Sequence, residues 1–334
     1  MRIDLIALKC YNFSLLFNKL ITFLKLGDCK VYEKILNGEG EGIRAVLLDK
    51  LAKAFGIYES EFANQYVETL KNANFEVLEL ETQTRLVVGM GIPSFFENGI
   101  TLHHTYGIPY IPASSVKGLL RFTYLVGCLD VFPLEVSNLS LPKPFRWKNE
   151  DLEPEEVFKT LSAVDTILIN SKDYDDFTKS LDSDKPLNLK GSKTLKDLLE
   201  ISNREILENF YTTYVELFGN LYQKGKVIYA DAIATKFKFA VDIMNPHFTE
   251  YYQSSQNQRK NKEGIYLIAD IHNPTPIPFL AVEKDSKFVF VYKPPKDFRN
   301  KHLLKDLLKN GLLLFGIGSK RRKGYGYFKP LQLG

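Results

Sequence analysis

The chain opens on helical stripes. Phe13, Leu16, Phe17, Leu20, Phe23 and Leu24 fall at i, i+3, i+4, i+7, i+10 and i+11, the spacing of one helix face. Ile43, Val46, Leu47, Leu51, Ala54 and Phe55 repeat it after a Gly38–Gly42 loop, and a third helix is predicted to begin near Ser60. At Glu76 the period changes to two. Leu78, Leu80, Thr82, Thr84, Leu86 and Val88 share one face, while Glu79, Glu81, Gln83 and Arg85 point away, as in a long strand with one buried side. A Gly- and Pro-rich loop from Gly89 to Pro112 follows, and then a helix for which Ser114 is the expected N-cap.

Residues 130–200 are acidic and read as an insertion, partly helical and mobile. Ser202-Asn203-Arg204-Glu205 forms a capping box ahead of a helix that carries Ile206, Phe210, Tyr214, Leu217 and Phe218 inward and closes at Gly219. Val227–Ile243 reads as a second long strand, and 245–264 as a polar arm. Further strands are expected at Ile265–Ile271 and Phe279–Tyr292, the latter as a hairpin turning at Glu283–Ser286. Leu303, Leu304, Leu307 and Leu308 mark the last helix, ended by Asn310-Gly311, and Tyr325–Leu331 the last strand. This order predicts an α+β fold, an antiparallel sheet packed by helices on one face, and fits a ferredoxin-like (RRM-like) β-α-β-β-α-β core. The expected organisation is a helical N-terminal extension over 1–75 and a core over 76–334, interrupted by the insertion at 130–200 and the arm at 245–264.

Composition narrows the class. A chain of 334 residues with 45% hydrophobic and 25% charged positions is a globular chain of about two domains' length, not a disordered, collagenous or coiled-coil one. No apolar run approaches the ~20 residues of a membrane span, and Asp4 and Lys9 interrupt any leader-like stretch. No membrane partner is therefore expected. Three widely spaced cysteines, Cys10, Cys29 and Cys128, suit a reducing cytoplasm and offer no zinc site. No HxH or HxxxH spacing occurs, and His247, His272 and His302 stand alone, so no metal or cofactor is expected. The net charge of +4 conceals a strong asymmetry. Lys293 to Lys329 holds eleven Lys or Arg against Asp297 and Asp306, a local +9, and Asp130 to Asp184 is a local −7. Such a basic segment is the electrostatic footprint of a nucleic-acid or acidic partner; a solvated lysine face is the plain alternative.

Chemistry concentrates in three places. In the first, Gly316, Gly318, Gly324 and Gly326 bracket Lys320, Arg321, Arg322 and Lys323, and Tyr325, Tyr327 and Phe328 follow. Glycines permit close backbone approach, the cations neutralise phosphates, and aromatics at a strand edge stack bases. In the second, Ser114, Ser115, Lys117 and Arg121 stand at a helix start whose N–H groups make an anion seat, although ordinary capping explains them as well. The third is the loop Glu97–Pro109 with adjacent His103 and His104, candidates for general acid–base cleavage of RNA; adjacent residues of an extended segment face opposite ways, which favours structural histidines. Dinucleotide and P-loop fingerprints fail at Gly89-Met90-Gly91 and Gly191-Ser192-Lys193-Thr194 for want of the remaining glycines.

Gly316–Gly326 and Pro109–Arg121 together resemble the RAMP superfamily of CRISPR proteins, whose members carry a C-terminal glycine-rich loop on ferredoxin-like folds. Glu97–Gly107 running into Pro109-Tyr110-Ile111-Pro112, with Asp242–His247 and Pro276–Leu280, resembles more narrowly the family at the sixth RAMP position of the type III-B effector, the Cmr complex. The resemblance implies a RAMP core and a non-catalytic RNA-binding backbone subunit near the 3′ end of the CRISPR RNA. Its implied partners are CRISPR RNA, target RNA, other RAMP subunits including the repeated backbone subunit, and the small helical subunit. It also implies a thumb in the polar arm, with Tyr251, Tyr252, Arg259, Lys260 and Lys262. The repeated subunits cut target RNA with an aspartate after the first core strand; this chain has no aspartate between Asp49 and Asp130. The alternative is a metal-independent endoribonuclease of CRISPR precursor RNA using His103 or His104.

Overall fold

The switch of period at Glu76 marks the start of the central strand of an antiparallel sheet. The computed structural model describes residues 13–18, 41–94, 96–131, 141–149, 153–187, 189, 192–245, 276–298 and 301–331. The arm residues Tyr251, Tyr252, Arg259, Lys260 and Lys262, the strand expected at Ile265–Ile271, and Cys10, Cys29, His247 and His272 lie outside them. The described elements begin with α1 (Phe13–Asn18), α2 (Glu41–Phe55), β1 (Ile57–Glu59), α3 (Glu61–Asn72), β2 (Glu76–Thr82), β3 (Tyr110–Ile111) and α4 (Ala113–Cys128). The acidic segment holds β4 (Phe145–Trp147), α5 (Pro154–Asn170), α6 (Tyr174–Leu181), α7 (Leu195–Leu198) and β5 (Leu199–Ile201). Then come α8 (Arg204–Phe218), β6 (Ile228–Tyr229), β7 (Ala232–Met244), β8 (Ile277–Val282), β9 (Lys287–Lys293), α9 (Lys301–Asn310) and β10 (Phe328–Pro330).

The sheet runs β7–β9–β2–β10, antiparallel at each step, with β1 and β3 on the outer edge of β7. Alternation decides which side chains are inside. Leu78, Leu80 and Thr82 of β2 and Phe288, Phe290 and Tyr292 of β9 are buried in the main core with Leu119 and Leu120 of α4 and Leu304, Leu307 and Leu308 of α9. The opposite face was expected to be open, but it is partly covered. Val67 of α3 packs on Val289 and Val291, beside Val77 and Phe75, so helices lie on both sides. Ser60 starts α3 as expected, its hydroxyl accepting the Ala63 N–H at 3.1 Å. The N-terminal segment is not wholly helical, because β1 pairs with β7; Phe13 of α1 meets Phe239 with ring centroids 4.2 Å apart.

Four other expectations are corrected. Phe279–Tyr292 is no hairpin: β8 and β9 run end to end along the same edge of β7, Val282 opposite Phe239 and Lys287 opposite Lys236. The turn between them is an outward excursion held by Thr82, whose Oγ1 accepts the Ser286 N–H at 2.9 Å. The strand expected to reach Val88 ends at Thr82, since Gln83 and Thr84 turn their N–H groups onto the Tyr327 carbonyl; Leu86 makes only a bridge to Val282. In α8 the cap is Asn203, whose Oδ1 accepts from the Glu205 and Ile206 N–H groups, while the Ser202 hydroxyl donates to the Pro144 carbonyl. Ile206 is exposed there and Leu207 is buried instead; Gly219 closes the helix at φ 68° as expected. The described part of the acidic insertion packs against the sheet's core. Leu161, Val164 and Leu168 of α5, with Phe177 and Leu198, belong to the same core cluster as the sheet, and Phe177 stacks on Tyr211 of α8.

Candidate nucleic-acid interface

After α9 the chain makes a π-helical turn over Gly311–Phe315, then the glycine-rich loop, which a 3-10 turn over Arg321–Lys323 interrupts. The glycines first serve the loop itself. Gly316, Gly318, Gly324 and Gly326 all have positive φ, between 65° and 96°. A Cβ on Gly326 would overlap the Ile317 carbonyl oxygen, one on Gly318 the Val87 carbonyl, and one on Gly316 would sit 2.9 Å from the Gly326 carbonyl. The close approach expected toward a ligand is thus, at these three, an approach to the chain's own backbone; open space surrounds only Gly324 among the four. Hydrogen bonds from Ser319 N–H to Val87 O (2.7 Å) and Gly326 N–H to Arg85 O (2.8 Å) fasten the loop to the segment after β2, and one from Ile317 N–H to Gly326 O (2.9 Å) closes it on itself.

On that brace stand the cations. Arg321, Arg322 and Lys323 are exposed, and among the described residues no ion pair engages them. Lys320, in the left-handed region at φ 58°, turns inward, its Nζ 5.1 Å from the Phe279 ring centre and 3.1 Å from Met244 Sδ. Met244 and Ile277 are paired at the end of the β7–β8 ladder, where the chain leaves toward the polar arm. The basic loop and the root of the arm are therefore neighbours.

Beneath the loop lies a network the sequence reading missed. Arg85 donates to Asp242 Oδ2 at 2.7 Å and, through Nε, to Glu283 Oε1 at 3.2 Å; Tyr325 OH donates to the same Asp242 oxygen at 2.5 Å. Burial, then the bond to Asp242, pushes the Tyr325 phenol up to about 12. Burial alone would raise the carboxyls of Asp242 and Glu283. The hydrogen bonds from Tyr325, the Ile243 N–H and Arg85 to Asp242, and from Arg85 and the Lys284 N–H to Glu283, outweigh it and hold both below their ordinary 3.8 and 4.5. Carboxyls depressed in the folded state add stability above their ordinary pKa, and that stability is lost as pH falls through the depressed values. Arg85→Ala is expected to cost about 1 kcal/mol at neutral pH, a figure discounted for screening of a partly exposed cation. The gap from the parent chain should close as pH drops below about 4, read by denaturant titration at each pH. A gap of constant size down to acid pH would contradict the network.

The helix-start motif is placed differently from expectation. Pro112, not Ser114, occupies the cap position of α4, and no side chain of the chain's own turn caps it. The carboxylate of Asp231, at the β6–β7 junction, accepts the Ala113 N–H at 2.7 Å, while Ser115 and Val116 turn theirs to the Pro112 carbonyl. The anion seat is filled by the chain's own acid. Ser114 and Ser115 are exposed; Lys117 is half-buried, its pKa lowered by burial and then by Arg121. Arg121 is itself paired with Asp165 of α5 at 3.3 Å. The two motifs meet through Phe122, edge-on to Phe315 at 5.0 Å, rather than through the serines.

His103 is half-buried among rings, 5.7 Å from Phe62 and 5.0 Å from Tyr106, and its Nδ1 accepts the Tyr106 N–H at 3.4 Å. Burial lowers its pKa, against the pull of Asp231. His104 next to it is exposed. Among the described residues no group of His, Cys, Asp and Glu is arranged to hold a metal ion, and no helix is long and apolar enough to cross a membrane.

The chain is 29% identical over 282 residues to the protein named CRISPR system Cmr subunit Cmr6 of Pyrococcus furiosus, covering 82% of this chain and 73% of that one. Among solved structures, the crystal structure of Cmr6 from Pyrococcus furiosus aligns with TM-score 0.43 and 25% identity over 77% of this chain and 98% of that one. The cryo-EM structure of the type III-B Cmr-beta bound to cognate target RNA aligns with TM-score 0.49 and 17% identity, over 89% and 75%. The family model of the RAMP superfamily matches residues 79–329, from the first core strand through the glycine-rich loop to the last strand, and the chain belongs to that superfamily.

Proposed function

We propose that this chain is an RNA-binding, non-catalytic backbone subunit of a type III-B CRISPR ribonucleoprotein effector, capping it near the 3′ end of the CRISPR RNA in the cytoplasm. The observation that carries the RNA reading is the row Arg321-Arg322-Lys323, exposed and without ion-pair partners among the described residues, on a loop braced by its own backbone bonds and lying inside the family match over residues 79–329. The order β2-α4-β7-β9-α9-β10 in chain and β7–β9–β2–β10 in space supports a ferredoxin-like core. The relative's name supports the particle. Guide phosphates run over the basic turn toward the root of the arm, and target RNA, the repeated backbone subunit and the small helical subunit are the other partners. His103, enclosed by rings and accepting a bond from its own turn, supports a structural rather than an acid–base role.

The test is a tagged pull-down from the native host, with mass spectrometry of the proteins and sequencing of the RNA. CRISPR RNA recovered together with the other effector subunits is the expected outcome. Repeat RNA incubated with the purified chain and a chelator should stay intact. Recovery of the chain alone with precursor RNA, or cleavage abolished by His103→Ala or His104→Ala, would replace this reading with a processing enzyme.

A further inference from the structure

The acidic segment contains a groove lined by cations. It has a volume of about 620 Å³ between one side of α5, the last turn of α6 and the stretch that follows α6. Lys159, Lys179 and Lys185 line it, no acidic side chain does, and none of the three lysines has an ion-pair partner among the described residues. Ala163, Ile167 and Leu187 give it an apolar wall. On α5 the lining recurs from Lys159 to Asn170 on the side opposite the buried Leu161, Val164 and Leu168. At 1.5 Å per residue that side is about 16 Å long, so the groove is a trough.

Both ends of the trough carry bare apolar side chains. Phe158, beside Ser162 on the helix surface, is 66% exposed, and Leu221 and Tyr222 are 70% and 62% exposed. Leu221 and Tyr222 are held at the far end of α5 by design of their loop: the Leu221 N–H donates to Ile169 O at 3.0 Å, and Asn220 Nδ2 donates to Ser171 O at 2.9 Å. Asn220 Oδ1 also accepts from the Tyr222 and Gln223 N–H groups, so the loop is fixed while its large side chains meet water. Apolar ends, an apolar wall and unneutralised lysines from three segments are complementary to one chemistry, a segment with apolar residues on one side and carboxylates on the other.

We propose that this trough docks an acidic amphipathic segment of a partner subunit, an inference that rests on the reading of the chain as part of a larger particle. Its apolar side chains lie along Ala163, Ile167 and Leu187, and its Asp or Glu side chains face Lys159, Lys179 and Lys185. RNA is the poorer fit. The lining has no arginine for bidentate phosphate contacts, and the exposed rings of Phe158 and Tyr222 stand at its two ends rather than along it.

The test uses the assembled particle with Ser162 replaced by the photo-crosslinking residue benzoylphenylalanine. Irradiation should give one discrete protein adduct, mapped by mass spectrometry to a neighbouring subunit's segment in which acidic and apolar residues alternate at helical or strand spacing. The combination Lys159→Glu, Lys179→Glu and Lys185→Glu should cut that adduct at least tenfold, leave the melting temperature and RNA content of the particle unchanged, and be rescued by lysines placed on the mapped acids. An adduct to RNA, an adduct to a second copy of this chain, an adduct indifferent to charge reversal, or no adduct in a particle that contains the chain would each overturn the docking alone. A chain that never enters the particle would overturn the subunit reading as well.

Discussion

Gly326→Val is expected to cost the folded chain about 4 kcal/mol and to abolish the RNA contact proposed for the glycine-rich loop. Three costs add. Gly326 sits at φ 82°, a region that costs an L-residue about 1–2 kcal/mol and a β-branched one more. Its new Cβ would overlap the Ile317 carbonyl oxygen, which belongs to backbone and has no rotamer to yield. Relief of that overlap breaks the Ile317 N–H bond to Gly326 O and the Gly326 N–H bond to Arg85 O, each worth about 1 kcal/mol. For a chain of this length the melting temperature should fall by roughly 6 °C. Gly324→Ala is the control. Its φ of 87° is equally unfavourable, but nothing lies within 4 Å of the added carbon, so about 1 kcal/mol is lost and the loop keeps its place. Calorimetry on the two variants separates the explanations: equal melting temperatures would mean that backbone interlock does not hold the loop.

What the sequence disclosed follows from the range of the interactions involved. Local signals were legible. The stripes of α2, α8 and α9 and the alternation of β2 depend on residues a few positions apart, and so does the run of glycines around Arg321. Non-local choices were not. An apolar run broken by a turn at Lys284-Asp285 reads as a hairpin, yet its two halves lie along one edge of β7, because register is decided by pairing with residues 33 to 56 positions earlier in the chain. Asp231 reaches the start of α4 across 118 positions, and no local pattern announces that an acid will take up the Ala113 N–H there. The prolines and the Asp, Ser and Lys run of residues 130–200 suggested a partly helical, mobile insertion. Its apolar stripe, Leu161, Val164 and Leu168 at i, i+3 and i+7, was equally present and carries the packing. Arg85 was visible only as one more polar position on the outer face of a strand. Its two carboxylate partners lie 157 and 198 positions away.

Arg321→Gln with Arg322→Gln should weaken RNA binding by about 25-fold at 0.1 M salt and leave folding untouched. The reasoning is electrostatic. Each phosphate neutralised on a single strand releases about 0.7 of a counterion, so two such contacts contribute about 1.4 to the slope of log K against log salt. Extrapolated to 1 M salt the two proteins bind alike; at 0.1 M the parent gains 1.4 decades from these two cations. Both side chains are exposed and, among the described residues, unpaired, so their neutralisation leaves no buried acid behind and the melting temperature should stay within about 1 °C. That combination distinguishes them from Arg121, which is paired with Asp165, and from Arg85, whose loss strands two acids under the loop. It also distinguishes them from Gly326→Val, which loses stability and binding together because it displaces the platform rather than the charge. Binding is measured by filter retention or fluorescence anisotropy with single-stranded repeat RNA on the reconstituted particle, at four salt concentrations. A slope reduced by about 1.4 with an unmoved melting curve places two guide phosphates on the 3-10 turn. An unchanged slope would take the phosphate path away from this loop and leave its cations as a solvated tip.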